Sequence, residues 1–249
     1  YPEGDFLPEG VITKVLGEAG RPDVETQATI EAFNLPKEFP QECIDQARDA
    51  NERFNDLVKK VEDEGFKDRE DLRSSFILTI DPPDAKDYDD AISIERLESG
   101  GWKLGVHIAD VAHFIPVGSA LDIEAKKRGN SCYLPRMVIP MIPEVLSNGI
   151  CSLSEGVVRF CKSSFMAYDE QGNCQREWVA ATAIKSIKRL TYLEAQALID
   201  GDLREARKHA KTEPKYTDEL IKTLREMDKL AKMIRARRKK QGMIHLELP

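Results

Sequence analysis

Five aspartates fall within ten residues of this chain: Asp81, Asp84, Asp87, Asp89 and Asp90, in the segment Ile80-Asp-Pro-Pro-Asp-Ala-Lys-Asp-Tyr-Asp-Asp-Ala-Ile92. Like charges this close destabilise a compact fold unless a cation sits among them or solvent screens them. Short β-rich runs flank them, at residues 76–80 and 91–94, so the segment reads as a loop held between two strands. Pro82 and Pro83 stiffen its entry and fix where Asp81 points. Carboxylate-only donors suit hard cations such as Mg²⁺ or Mn²⁺. Two such ions about 4 Å apart stabilise the attacking and leaving oxygens of an in-line displacement at phosphorus. On composition alone a solvated acidic turn is an equal alternative. A calcium loop fails: a register starting at Asp84 sets Glu95 at position twelve, but Lys86, Tyr88 and Asp89 occupy positions three, five and six.

The rest of the chain bounds the class. Its 249 residues are 41% hydrophobic and 33% charged with a net charge of -7, ordinary globular composition. The longest apolar candidate, Val138 to Leu146, is broken by Pro140 and Pro143, far short of the ~18–20 residues of a membrane helix. Five widely spaced cysteines (Cys43, Cys132, Cys151, Cys161, Cys174) include no C-x-x-C, which points to reduced thiols, no disulfide-linked partner and a cytoplasmic setting. No charged-then-apolar leader opens the sequence. It begins at Tyr1 and stops at Pro249 after an apolar stretch, and reads as a piece of a longer protein. Charge is uneven: residues 200–242 carry 14 Lys+Arg against 8 Asp+Glu, the remainder 23 against 36. A globally acidic chain of this kind can still bind nucleic acid along one basic face.

Hydrophobic spacing divides the chain. Residues 10–16 and 26–32 are short apolar stretches punctuated by Gly17, Gly20 and Pro22, which reads as strand and turn, the end of a small β-domain. From residue 40 to 64, Ile44, Ala47, Ala50, Phe54, Leu57, Val58 and Val61 recur at helical spacing, an amphipathic connector. Strands are expected at 76–80, 91–94, 102–111, 159–169 and 174–187, with a brief helix at 121–128 and a Pro-interrupted segment at 134–143. Leu220, Leu224, Met227, Leu230, Ala231 and Ile234 form one stripe of a long helix to about Lys240, stopped by Gly242. Strands first and helices later predict an α+β fold, a mixed or antiparallel sheet flanked by helices. The units expected are residues 1–32, 33–70 and 71–249, which the family resemblance given next would make a remnant of a small OB-type β-barrel, a helical linker and the first part of a catalytic domain.

The acidic segment, read as Thr79-Ile-Asp-Pro-Pro-Asp-Ala-Lys-Asp-Tyr-Asp-Asp-Ala-Ile92, closely resembles the signature of the ribonuclease II / ribonuclease R family of exoribonucleases. The resemblance continues through Val106-His-Ile-Ala-Asp-Val111, through residues 128–148 (Arg-Gly-Asn-Ser-Cys-Tyr-Leu-Pro-Arg-Met-Val-Ile-Pro-Met-Ile-Pro-Glu-Val-Leu-Ser-Asn) and through Cys151-Ser-Leu153. Matched segments in the right order over roughly 71–193 make it specific.

The resemblance implies a hydrolytic, processive 3′-to-5′ exoribonuclease that uses Mg²⁺ (or Mn²⁺), acts on single-stranded RNA and releases nucleoside 5′-monophosphates, working as a monomer. It implies Asp81, Asp87 and Asp90 as metal ligands and Asp89 as a further aspartate needed for activity. Asp84 falls where the family varies. Tyr133 matches an aromatic that stacks on a base near the RNA 3′ end, and stacking of that kind contributes ~1–3 kcal/mol. Tyr192, in Arg189-Leu-Thr-Tyr192, matches a tyrosine near the ribose, where the 2′-hydroxyl is read. Leu246 stands where some relatives have a phenylalanine that closes the base stack. His107, mid-strand, reads as structural. The basic residues Arg235, Arg237, Arg238, Lys239 and Lys240 could track phosphates, or equally match the helix dipole. Family members also continue past the position of Pro249, with further active-site groups, and carry flanking OB-type domains. A non-catalytic RNA-binding relative and a domain folded around a structural metal are the competing readings.

Overall fold

A computed structural model of the chain describes residues 10–61, 65–135 and 137–244. Its frame is a seven-stranded mixed sheet with helices on both faces. In chain order the elements are helices α1 (Pro22–Ala32) and α2 (Gln41–Val61), then strands β1 (Glu70–Leu72), β2 (Ile77–Asp81), β3 (Asp90–Arg96) and β4 (Trp102–Ala109). Helices α3 (Val111–Phe114) and α4 (Ala120–Arg128) follow, then the short strands β5 (Cys132–Leu134) and β6 (Met137–Ile139) and a π-helical turn, Val145–Ile150. Strands β7 (Val158–Tyr168), β8 (Cys174–Lys185) and β9 (Lys188–Thr191) precede helices α5 (Tyr192–Asp200), α6 (Leu203–His209) and α7 (Asp218–Lys240).

The sheet order is β1-β8-β7-β4-β3-β2-β9. Neighbours run antiparallel except at the two edges, where β1 joins β8 and β9 joins β2 in parallel. β5 and β6 form a separate hairpin. Alternation along β2 explains the layering. Ile77 packs with Cys43, Ala47 and Phe54 of α2 and with Leu146 and Leu153 on one face. Leu78 packs with Leu190, Leu198, Leu220 and Leu224 on the other. A buried leucine or phenylalanine of this kind contributes roughly 1.5–3 kcal/mol. Thr79 and Asp81 follow Ile77 at the two-residue period, so β2 carries polar side chains onto its α2 face as it reaches the sheet edge.

Most periodic segments take the form their spacing predicts, α2 and α7 included. α7 starts at an N-cap, Thr217, whose hydroxyl accepts the Leu220 N–H at 3.1 Å, with Asp218 and Glu219 in its first turn. Its last turn holds Arg237, Arg238, Lys239 and Lys240, the charge that a helix C-terminus favours.

Two segments differ in kind. Residues 26–32 are not a strand but lie inside α1. Pro22 occupies its first turn with Asp23 and Glu25, a start that suits proline's fixed φ and the helix dipole. Residues 10–16 form no strand either, and Val11, Ile12 and Val15 lie exposed, since among the described residues no strand lies alongside to pair with them. The Pro-interrupted segment holds the β5–β6 hairpin, and β1, β9, α5 and α6 are further elements.

Candidate active site

The acidic loop leaves the end of β2 at Asp81 and returns into β3 at Asp90. Antiparallel pairing of these strands, Ile77 opposite Ser93 and Leu78 opposite Ile92, brings the loop's two ends back side by side. The backbone between is pinned by residues distant in the chain. The Tyr88 N–H donates to Ser152 Oγ at 3.0 Å and its carbonyl accepts the Leu153 N–H at 2.8 Å. The Asp89 carbonyl accepts the Ala109 N–H at 2.9 Å. Ser152 and Leu153 belong to the Cys-Ser-Leu segment that accompanies the acidic loop in the sequence, and this pairing is its structural reason.

Asp81 is the buried member, with 7% of its surface exposed. Burial, and then the negative charge of Asp90, push its pKa up to about 6, while the nearby Thr79 hydroxyl and Arg189 guanidinium pull the other way. Asp81 Oδ2 and Thr79 Oγ1 are both buried, and neither completes a hydrogen bond among the described residues. Asp89 is also raised, by desolvation first and then by Asp87 and Asp90. Asp87 is half-buried and Asp89 and Asp90 are exposed.

One sequence-predicted tyrosine, Tyr133, touches this loop, and the other, Tyr192, stands at the same end of the sheet. Tyr133, on the β5–β6 hairpin and 67% exposed, donates its hydroxyl to Asp87 Oδ2 at 3.3 Å. Tyr192 is the first residue of α5, directly after Thr191, which β9 sets opposite Asp81 in parallel register. A capping box fixes that turn: Thr191 Oγ1 accepts the Glu194 N–H at 3.1 Å and Glu194 Oε2 accepts the Thr191 N–H at 3.1 Å. Tyr192 therefore stands, 59% exposed, at the same end of the sheet as the aspartates. Leu246 lies outside the described residues.

His107 is elsewhere. It is fully buried in β4, with Nε2 2.9 Å from Ser93 Oγ and Nδ1 2.7 Å from Ser163 Oγ, which in turn lies 2.6 Å from Thr182 Oγ1. Burial, then the charge of Lys103, lowers its pKa to about 4, so it is neutral and closed off from solvent. A Cβ at Gly105 would lie 2.5 Å from Ser93 Oγ, so the ring's fit needs glycine there.

The donor set matches a hard divalent cation in kind: carboxylate oxygens only, one of them buried without a partner. Among the described residues no three carboxylate, thiol or imidazole side chains stand close enough together to hold an ion as they are. The fit therefore rests on donor chemistry and on the unpartnered oxygen.

Sequence reasoning passed over Arg189, Ser152 and the group around Glu155. Glu155 Oε2 accepts the Arg189 N–H at 2.9 Å and the Thr212 hydroxyl at 2.8 Å, and Lys188 Nζ, 3.5 Å away, also bonds Thr212 Oγ1 and the Glu213 carbonyl. The Arg-Leu-Thr-Tyr motif carried a signal for Arg189 through its tyrosine and the Cys-Ser-Leu segment one for Ser152, while no motif marked Glu155.

The model of the RNB domain matches residues 69–249, and that of a cold shock domain matches residues 1–40. The chain belongs to the RNB-domain family. Ribonuclease R of Thermotoga maritima is 41% identical over 98% of this chain, which covers 32% of that protein. RNase R of Mycoplasma genitalium, solved with double-stranded RNA, superposes with a TM-score of 0.76 at 30% identity, covering 94% of this chain and 39% of that one. Yeast Ssd1, a pseudonuclease, shares the fold at 18% identity with a TM-score of 0.61 over 90% of this chain and 25% of its own. The chain spans about a third of the length of its ribonuclease R relatives. The RNB match covers the acidic loop and both tyrosines, and the cold-shock match ends before α2. No helix among the described residues is long and apolar enough to cross a membrane, and all five cysteines are free thiols.

Proposed function

We propose that this chain carries the acidic centre of a hydrolytic, processive 3′-to-5′ exoribonuclease that shortens single-stranded RNA to nucleoside 5′-monophosphates with divalent-metal assistance. The protein acts as a monomer in the cytoplasm. The observation that carries the reading is the buried, unpartnered carboxylate oxygen of Asp81 beside Asp87, Asp89 and Asp90, in an RNB domain whose ribonuclease R relatives include one solved with RNA.

Asp81, Asp87 and Asp90 would hold Mg²⁺, with Mn²⁺ as a substitute. When bound, such ions supply an activated water and positive charge for the departing oxygen. The chain's own residues do the rest. Asp89, whose carboxyl keeps its proton more tightly than usual, is placed to take up or release a proton. Tyr133 and Tyr192 offer exposed rings beside the loop to hold the last nucleotides. The pinned backbone at Tyr88 and Asp89 fixes where the carboxylates stand. The likeness to a pseudonuclease leaves a non-catalytic RNA binder as the second reading. Against it, a pure binder gains nothing from clustered carboxylates beside phosphates.

A cleavage ladder on 5′-labelled single-stranded RNA, run on the full natural protein with and without Mg²⁺, tests this. The expected result is stepwise shortening from the 3′ end that needs Mg²⁺, spares a matching DNA and falls by about 10³-fold in Asp89→Asn. RNA binding without cleavage would overturn the reading in favour of the binder.

A further inference from the structure

The acidic loop must hold four carboxylates in a small space without letting them spring apart, and it must leave their oxygens free for a cation. An arginine paired directly with the carboxylates would solve the first problem and spoil the second, because it would compete for the same oxygens. The structure offers a different solution. Arg189 reaches the loop from β9 and touches it only through neutral groups. One guanidinium N–H donates to the Pro82 carbonyl at 3.4 Å, next to Asp81. Its Cζ lies over the ring of Tyr88, the residue between Asp87 and Asp89, 4.7 Å from the centroid. One side chain thus grips the entry and the exit of the loop.

Its own base is firm. Arg189 stands opposite Thr79 in the parallel β2–β9 register, and Glu155 fixes its backbone N–H at 2.9 Å. Tyr88 is held on its other side by Ser152 and Leu153. No carboxylate among the described residues forms an ion pair with Arg189, and its buried Nε has no partner. Its positive charge is nonetheless felt at Asp81.

We infer that Arg189 is the positioning residue of the acidic loop: by clasping the Pro82 carbonyl and the Tyr88 ring it sets the spacing of the carboxylates that receive the cation. The inference rests on the cation-binding reading above and goes beyond it by assigning a residue that touches neither cation nor RNA. A charge alone would act in the opposite sense. Removing a competing cation would tighten divalent binding, whereas removing a positioning group weakens it.

The test is Mn²⁺ binding to the full natural protein without RNA, followed by loss of the free-ion electron paramagnetic resonance signal. It is measured for wild type, Arg189→Met, Arg189→Lys, Tyr88→Leu and the Arg189→Met, Tyr88→Leu double variant, with thermal unfolding of each. Groups that orient metal ligands typically contribute tenfold or more, so Arg189→Met is expected to weaken Mn²⁺ binding by about tenfold. Arg189→Lys, which keeps the charge but loses the planar fork, should recover only part of it. Tyr88→Leu removes the ring from the other side and should match Arg189→Met, with no further loss when the two are combined. Unchanged Mn²⁺ affinity with a lower Tm would overturn the inference and leave Arg189 a structural residue. Tighter binding in Arg189→Met would overturn it in favour of a competing charge. Absence of Mn²⁺ binding by the wild type would overturn the cation reading itself.

Discussion

Two buried polar sites lie in one sheet, on β4 and β2 with β3 between them, and they are built in opposite ways. At His107 every polar atom is answered: Ser93, Ser163 and Thr182 form a continuous chain with the ring. At the end of β2 the pattern is reversed. Asp81 Oδ2 and Thr79 Oγ1 are buried without partners among the described residues, and Asp90 and Asp89 add like charge. A satisfied buried network rigidifies a core, while an unsatisfied buried acid is a standing liability unless something outside the protein completes it. The histidine, which reads as structural in the sequence, is complete within the fold, and the aspartate is the one whose surroundings call for a partner.

The contrast can be broken most strongly at the histidine. His107→Leu takes the ring from the half-buried Ser93 hydroxyl and leaves the buried Ser163 hydroxyl with Thr182 alone. Chemical denaturation should show a loss of about 2–4 kcal/mol. RNA cleavage per folded molecule should be unchanged. A stable His107→Leu protein with impaired cleavage would mean that the satisfied site also acts in the reaction.

The aromatic next to the acidic loop sharpens the comparison with a smaller effect. Tyr133→Ala should weaken single-stranded RNA binding by ~1–3 kcal/mol through lost stacking. Tyr133→Phe keeps the ring and loses only the exposed bond to Asp87, so RNA affinity should move by about 0.5 kcal/mol or less. Equal losses in the two variants, read by a filter-binding titration, would shift the role from the ring to the hydroxyl.

How much of this was legible in the sequence follows from the range of the interactions. β2, β3, β4, β7, β8, α2 and α7 are long enough for their periodicity to show, and structure and spacing agree on them. β1 and β9 have three and four residues and owe their existence to neighbours about 112 and 110 positions away along the chain, so no local pattern marks them. α1 was misleading for a specific reason: Val24, Thr26, Thr29 and Ile30 favour strands, and Pro22 looks like a breaker when it is a helix start. The site divides the same way. The aspartates, Tyr133 and Tyr192 sit in recognisable segments. Arg189 acts on Pro82 and Tyr88 across a hundred residues, and Ser152 on Tyr88 across sixty-four, through contacts that only the pairing of β9 with β2 and the turn after Ile150 create.

The most direct test of the central claim is thermal unfolding of wild type and Asp81→Asn between pH 4 and pH 8, with EDTA and with Mg²⁺. The folded-state pKa of Asp81 is raised to about 6. A folded protein that binds this proton more tightly than the unfolded chain loses stability as pH climbs from the ordinary carboxylate range through about 6. In EDTA the wild type should remain folded. It should match the variant near pH 4, apart from any constant offset, and fall behind it by about 1–2 kcal/mol above pH 7, a figure reduced for the solvent that screens the loop. Saturating Mg²⁺ should close that gap by binding the wild type alone. Parallel pH profiles, or an equal response of both proteins to Mg²⁺, would contradict the account.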